Sequence, residues 1–202
     1  IRMGKIYTAL GLMSGTSMDG VDASIISSID GIQYDQKFNQ YYEYDKELYK
    51  NLSNIRDKIF TSADLKKLSK ELKILEKEIT LFHAKVVNDL INLAKRSQIS
   101  SFEIIGFHGQ TIFHNPEERI SVQLGDGKLL SQLSKKTVIY NFRKNDLMNG
   151  GQGAPLTPIF HKSLKEKIYG KNISVIFINI GGITNVTCFN SMDKLDKSMF
   201  AS

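Results

Sequence analysis

Three observations predict an α/β fold with a mixed sheet flanked by helices. Short apolar, β-branched runs alternate with one long amphipathic stretch, a strand-hairpin pattern opens the chain, and a similar pattern returns near its end. The 202 residues are 41% hydrophobic and 24% charged, which is the composition of a globular protein and excludes a disordered or collagen-like chain. A chain of this length can bury a sizeable core without disulfide bonds.

The N-terminal region is predicted to form three strands in a meander. Residues 6–12 are an apolar run that ends near glycine, and a turn of small residues covers 13–20. A second strand is expected over 21–26, and a third stretch starts at Gly31 and contains the aromatic residues Tyr41, Tyr42 and Tyr44.

One long helix is predicted over residues 63–97. Its apolar residues recur at steps of three and four, and they are Leu65, Leu68, Leu72, Leu75, Ile79, Phe82, Val86, Leu90 and Leu93. Thr61 and Asp64 have the spacing of a capping box. This stripe is typical of core packing, and it places His83 as a packing or surface residue.

The rest of the chain is predicted to continue the α/β pattern. Strands are expected at 104–107, 121–124 and 137–142, a short helix at 127–134, a loop at 143–155, and a helix that follows Pro155 and Pro158 and ends near Lys167.

The strand-hairpin pattern returns at residues 174–189, where two apolar strands flank Gly181 and Gly182. We therefore expect an N-terminal domain over 1–170 and, over 171–202, the first hairpin of a second domain. Two strands alone are marginally stable in water, so the sequence is expected to be part of something longer.

Composition also limits the partners. The net charge is +6, but the lysines are dispersed around a helix and no nucleic-acid-binding motif is present, so we expect no nucleic-acid partner. No apolar run approaches the roughly 20 residues that span a bilayer, so we expect no membrane partner. A single cysteine, Cys188, and the lack of a signal peptide favour a cytoplasmic protein. The sequence leaves open whether the protein forms a homodimer.

The segment from Gly11 to Asp22 is the first candidate site. Its free backbone N–H groups and the hydroxyls of Thr16 and Ser17 could surround phosphate oxygens, and Asp19 and Asp22 could hold Mg²⁺ through water. A plain hairpin turned at Asp19-Gly20 explains the same residues.

Two polar groups follow predicted strands further along the chain. His108 and Gln110 come directly after a strand, where ligands of α/β proteins gather, and a ligand contact or a structural histidine is favoured over a metal site. Arg143 suits a carboxylate or phosphate, and Asp146 and Gln152 suit sugar hydroxyls. Asp126 either joins this group or caps the helix that follows it.

Five motifs together carry a family resemblance. They are GLMSGTSMDGVDA (11–23), GFHGQT (106–111), QLGD (123–126), FRKNDLMNGGQGAPL (142–156) and NIGGITNVT (179–187). In this order they resemble the anhydro-N-acetylmuramic acid kinase family. The resemblance implies the sugar kinase and actin-like fold (ASKHA, ribonuclease H-like), with ATP and an amino sugar bound in a cleft between two domains.

The resemblance also implies a reaction. ATP phosphorylates 1,6-anhydro-N-acetylmuramic acid while water opens the anhydro bridge, which gives N-acetylmuramic acid 6-phosphate and belongs to cell-wall recycling. ATP and Mg²⁺ are therefore the expected cofactors.

The resemblance assigns residues to the two ligands. It places ATP binding on the run Gly15, Thr16, Ser17, Met18, Asp19, Gly20, Val21 and Asp22, and sugar contacts on His108, Gln110, Asp126, Arg143, Asp146 and Gln152. The general-base aspartate of the family is expected beyond Ser202. The sequence thus predicts either a kinase half that needs a complementing C-terminal half or a catalytically inactive remnant.

Overall fold

The computed structural model describes residues 5–29, 31, 33–96, 101–180, 184–191 and 195–201. The strands are β1 (Tyr7–Ser14), β2 (Gly20–Ser28), β3 (Tyr34–Glu43), β4 (Ile104–Asn115), β5 (Ile120–Leu124), β6 (Thr137–Tyr140), β7 (Val175–Asn179), β8 (Thr184–Phe189) and β9 (Leu195–Ala201). The helices are α1 (Lys46–Arg56), α2 (Ser62–Lys67), α3 (Ser69–Arg96), α4 (Gly127–Ser134), α5 (Phe142–Met148) and α6 (Pro158–Tyr169).

The strands form two sheets. The first has the order β3-β2-β1-β4-β5, with β6 also paired to β4, and the second has the order β7-β8-β9. In the first sheet β1 is parallel to β4 and β4 is parallel to β6, whereas the other pairs are antiparallel. The carboxyl ends of β1 and β6 consequently lie at one shared edge, beside residues 107–110 of β4, where α/β proteins place their ligands. The expected strand end at residue 107 is wrong: β4 continues to Asn115, so His108 and Gln110 lie within it and not after it.

The hydrophobic core lies between the first sheet and the helices α1, α3 and α4. The strands supply fully buried residues such as Leu10, Ile25 and Ile105, and α3 supplies Ile79 and Leu90 from the predicted apolar stripe. The core therefore fixes the strands whose ends form the shared edge. In the described part of the chain, no helix is long and apolar enough to cross a membrane.

The single helix expected over 63–97 is wrong. The chain instead forms α2 and α3, which are separated at Leu68, where φ is −94° and ψ is 15°. Leu68 continues the apolar stripe and packs against the core, and no glycine or proline marks the break, so the periodicity runs across it unchanged. The capping box is confirmed: the Asp64 carboxylate accepts the Thr61 N–H at 2.9 Å.

Two short helices were not predicted. Helix α1 begins after Asp45, whose carboxylate accepts the Leu48 N–H at 2.8 Å. Helix α5 replaces the first part of the loop expected over 143–155, and β6 correspondingly ends at Tyr140 rather than at residue 142. The glycines that suggested a loop all follow Met148, so the residues before them were free to form a helical turn.

The hairpin expected near the end is present as β7 and β8. A third strand, β9, pairs with β8 and was not predicted. The expected Gly181-Gly182 turn lies outside the described residues, and the proposed domain boundary between residues 170 and 171 stays a prediction. Pro158 occupies the first turn of α6, as its position in the sequence indicates.

Candidate functional site

A hydrogen bond across the first sheet joins two of the predicted site segments. The Gln110 side-chain Nε2 donates to the Gly15 carbonyl at 2.8 Å, although the two residues are 95 positions apart. Gln110 itself is fully buried in β4, and Gly15 directly follows β1. The predicted nucleotide turn and the start of the predicted sugar group therefore lie side by side at the shared edge.

The turn from Gly15 to Asp22 separates its residues into two groups. Thr16, Ser17, Asp19 and Asp22 are exposed at the edge, whereas Met18 and Val21 are buried core residues. Met18 has a φ of 60°, and its N–H donates to the Gly15 carbonyl at 3.2 Å. Of the eight predicted nucleotide residues, Met18 and Val21 can thus offer only backbone groups to a ligand.

Gly20 is required where β2 begins. A Cβ at this position would collide with the Tyr42 carbonyl and with the Tyr41 ring. The backbone can pass this close to its neighbouring strand only without a side chain, so the glycine sets the path of the turn.

The two carboxylates of the turn lie near the Tyr41 hydroxyl. Burial raises the pKa of Tyr41, and the nearby Asp19 and Asp22 carboxylates raise it further. Asp19 Oδ1 also accepts the Ser17 hydroxyl at 2.6 Å. Two exposed carboxylates are compatible with Mg²⁺, which binds through one or two carboxylates and several waters. Within the described ranges no three His, Cys, Asp or Glu side chains cluster as a metal site.

His108 and Arg143 form the centre of the second group. The Arg143 Nε and Nη2 donate to His108 Nε2 at 3.0 and 2.8 Å, and its Nη1 donates to the Gly153 carbonyl at 2.8 Å. Because a guanidinium can only donate, His108 Nε2 is the unprotonated nitrogen, and Nδ1 donates to the Gly109 carbonyl at 2.7 Å. Burial and the Arg143 charge lower the pKa of His108 to about 4.

The glycine-rich loop folds back onto α5. The Asp146 Oδ2 accepts the Gly153 N–H at 2.7 Å, and a Cβ at Gly151 would collide with the same carboxylate. Asp146 lies one helical turn after Arg143, so both side chains hold the loop that carries the exposed Gln152. The structure thus brings His108 together with Arg143, Asp146 and the Gln152 loop, while their ligand roles stay predictions.

Asp126 caps α4. Its carboxylate accepts the N–H groups of Lys128 and Leu129 at 2.9 and 3.0 Å. Of the two roles that the sequence left open, the structure shows the cap, and a sugar contact by Asp126 stays a prediction.

A cleft of about 200 Å³ adjoins His108. It is lined by Glu76, Phe107, His108, Gln123, Gly125, Tyr140 and Asn141. Tyr140 and Asn141 were not predicted as site residues, although they stand at the end of β6. The tendency of polar residues to gather at the ends of parallel strands does not select them from the sequence, because the strand expected over 137–142 ends two residues later than β6 does.

Comparison with known proteins decides the family. The model of the anhydro-N-acetylmuramic acid kinase family matches residues 7–195. The chain belongs to this family. Membership confirms the expected fold class, since the anhydro-N-acetylmuramic acid kinases have the sugar kinase and actin-like α/β fold.

Two curated members of the family show the extent of the likeness. The anhydro-N-acetylmuramic acid kinase of Pelagibacter ubique (strain HTCC1062) is 52% identical over 198 residues, which are 98% of this chain and 52% of that protein. The one from Agrobacterium fabrum (strain C58 / ATCC 33970) is 38% identical over 190 residues, with 92% and 50% covered. The chain thus spans about half the length of the curated relatives it matches.

One solved structure is also similar. It is described as an exopolyphosphatase-like protein, with 9% identity, a TM-score of 0.46, and coverage of 96% of this chain and 50% of that one. This likeness is too weak to support a functional statement.

Proposed function

We propose that this chain supplies one wall of a kinase that phosphorylates 1,6-anhydro-N-acetylmuramic acid with ATP. Water adds to the anomeric carbon, the bond from that carbon to O6 breaks, and O6 takes the γ-phosphoryl group while ADP leaves. The product is N-acetylmuramic acid 6-phosphate. The observation that carries the proposal is the Gln110–Gly15 hydrogen bond, which joins the two predicted ligand segments in a member of this family.

The nucleotide side is assigned to the turn from Gly15 to Asp22. Its exposed hydroxyls on Thr16 and Ser17 and its backbone N–H groups suit phosphate oxygens. Asp19 and Asp22 would hold Mg²⁺ through water, and the bound ion supplies charge neutralisation for phosphoryl transfer.

The sugar side is assigned to the group around Arg143. Three of its five N–H groups bind His108 and Gly153, which leaves two to meet the carboxylate of the muramic acid. His108, held neutral, fixes the direction of the guanidinium. Gln110, Asp146, Gln152 and Asp126 would then contact hydroxyl or amide groups of the sugar.

The proposal leaves the water-activating base to another part of the enzyme. By the family resemblance this base is an aspartate in the portion of the relatives that the chain does not cover, supplied by a complementing half. We place the reaction in the cytoplasm, and we leave open whether the chain forms a homodimer.

Activity is tested by complementation. Residues 1–202 are co-expressed with the part of the Pelagibacter relative that the alignment leaves uncovered, and ADP and sugar phosphate are measured. We expect product from the anhydro sugar with ATP and Mg²⁺, and none from either half alone. A folded mixture that forms no product contradicts the proposal and favours the inactive remnant.

A variant pair in the same assay tests the sugar side. Arg143→Gln is expected to raise KM for the anhydro sugar by at least about tenfold, because it removes charge-assisted hydrogen bonds, while KM for ATP changes little. Lys144→Gln is the matched control, since it removes the adjacent, exposed cation of α5 and should leave both constants unchanged. Equal effects of the two variants would contradict the assignment of Arg143.

A further inference from the structure

We infer that a buried chain of hydrogen bonds from Tyr44 through Ser14 to His83 positions the Gly15–Asp22 turn for the nucleotide phosphates. This inference rests on the proposed function and adds three residues that do not touch a ligand. All three side chains are buried, with 4%, 1% and 0% of their surface exposed. The sequence indicated His83 only as a packing or surface residue.

The donor and acceptor of each hydrogen bond follow from the protonation of His83. His83 Nδ1 lies 2.8 Å from the Ile79 carbonyl, which can only accept, so Nδ1 carries the proton. His83 Nε2 is therefore an acceptor, and it takes the Ser14 hydroxyl proton at 3.3 Å. Ser14 Oγ in turn accepts from the Tyr44 hydroxyl at 2.9 Å. Each group in the chain thus has one assigned role.

Ser14 and Tyr44 hold the two arms of the turn. Ser14 is the last residue of β1 and directly precedes Gly15. On the other arm, the Tyr44 backbone N–H donates to the Asp19 carbonyl at 2.8 Å. A single tyrosine therefore binds the turn at Asp19 through its backbone and at Ser14 through its side chain.

The rings of Tyr44 and His83 pack against residues of α3 and β4. The Tyr44 ring packs edge-on against Phe82, with centroids 4.8 Å apart, and the His83 ring packs against Phe107 of β4 at 4.9 Å. Phe82 and His83 belong to the 28-residue helix α3. The position of the turn is thereby set by α3 and by β4, the strand that contains His108.

The three hydrogen-bonded side chains are uncharged at neutral pH. Burial lowers the pKa of His83 to about 4 and raises the pKa of Tyr44. A neutral histidine keeps its acceptor nitrogen toward Ser14, so the bonds do not reverse. Placing three polar groups in a core costs desolvation free energy that apolar residues would avoid. Positioning of the adjacent turn explains why they lie here.

The first test measures amide hydrogen exchange in the unliganded chain of residues 1–202. Ser14→Ala removes the central hydroxyl, and Tyr44→Phe removes only the terminal one while keeping the ring. We expect exchange at the amides of residues 18 and 44, which bond within the turn, to accelerate on the order of tenfold in both variants.

Ser134→Ala is the matched control. It deletes another buried serine hydroxyl, one that donates to the Leu130 carbonyl in α4, away from the turn. It should lower overall stability without selective exchange at residues 18 and 44. If Ser14→Ala and Tyr44→Phe change exchange there no more than Ser134→Ala does, the inference is overturned.

The second test uses the complemented enzyme. Ser14→Ala and Tyr44→Phe should raise KM for ATP on the order of tenfold and leave KM for the sugar nearly unchanged, whereas a purely structural role would move neither constant selectively. Faster exchange with an unchanged KM for ATP overturns the inference. If the unsubstituted enzyme forms no ATP-dependent product, the proposed function fails, and the exchange data still decide whether the three residues hold the turn.

Discussion

The two hairpins of this chain share the order of strand, glycine-containing turn and strand, but they have different surroundings. In the first sheet the apolar residues Leu10 and Leu12 of β1 are 0% and 2% exposed. In the second sheet the isoleucines at positions 176 and 178 of β7 are 64% and 61% exposed. An alternating apolar run thus predicts a strand in both places, but it does not tell how much of the strand is buried.

The helices account for the difference. In the first sheet α1 and α3 contribute to the same core cluster as β1. Helix α6 contacts the second sheet on the face of β7 opposite to Ile176 and Ile178. There the His161 ring stacks on Phe177 with centroids 4.7 Å apart. Local sequence therefore predicts the strands of both hairpins, whereas tertiary packing determines which of their residues are buried and contribute to stability.

The largest expected effect tests this difference in burial directly. Leu10→Ala should lower the free energy of unfolding by about 4 kcal/mol, because it leaves a cavity in a fully buried site. Ile178→Ala, its control in the other hairpin, should change it by less than about 0.5 kcal/mol. Urea denaturation of both variants measures this, and a comparable loss in the two would mean that the β7 face is buried in solution.

Features of the fold that depend on contacts close in sequence were predictable, and features that depend on distant contacts were not. The capping box at Thr61 and the helix at 127–134 depend on contacts close in sequence, and both are present as predicted. The break at Leu68 and the strand β9 have no such local signal, since the apolar stripe crosses the first and the second depends on pairing with β8.

The candidate site was predictable in part for a related reason. Arg143, Asp146 and Gln152 are close in sequence, and their clustering required only a short helix and a loop. The contact of His108 with Arg143 and that of Ser14 with His83 span 35 and 69 residues. Sequence motifs identify candidate residues, but they do not specify which side chains contact each other across the fold.

The helices that pack on the two sheets each carry a histidine, and the two histidines differ in burial. His83 on α3 is fully buried, and burial lowers its pKa to about 4, whereas His161 on α6 is only partly buried, which also lowers its pKa. In the unfolded chain a histidine titrates near 6.5. Between pH 6.5 and 4 the unfolded state therefore binds a proton that folded His83 does not, so stability falls as the pH falls.

The expected size of this effect is on the order of 3 kcal/mol for His83. His108 has its pKa lowered to about the same value, so His83→Gln should remove about half of the loss of stability measured between pH 6.5 and 4. His161→Gln, at a partly exposed site, should remove less. Free energies of unfolding measured at several pH values between 7 and 4 give both slopes. A His83→Gln slope equal to that of the unsubstituted chain would show that His83 is hydrated in the folded state.

The smallest expected effect compares the starts of two helices. Asp126 caps α4 through two N–H groups, whereas Thr157, which directly precedes α6, makes no side-chain cap hydrogen bond within the described residues. Asp126→Ala should therefore cost about 1 kcal/mol, and Thr157→Ala close to nothing. Asp126→Asn keeps an oxygen acceptor and should restore most of the stability measured by thermal unfolding. If Asp126→Asn restored stability but not the KM for the anhydro sugar, the Asp126 carboxylate would have a role at the ligand that its cap does not explain.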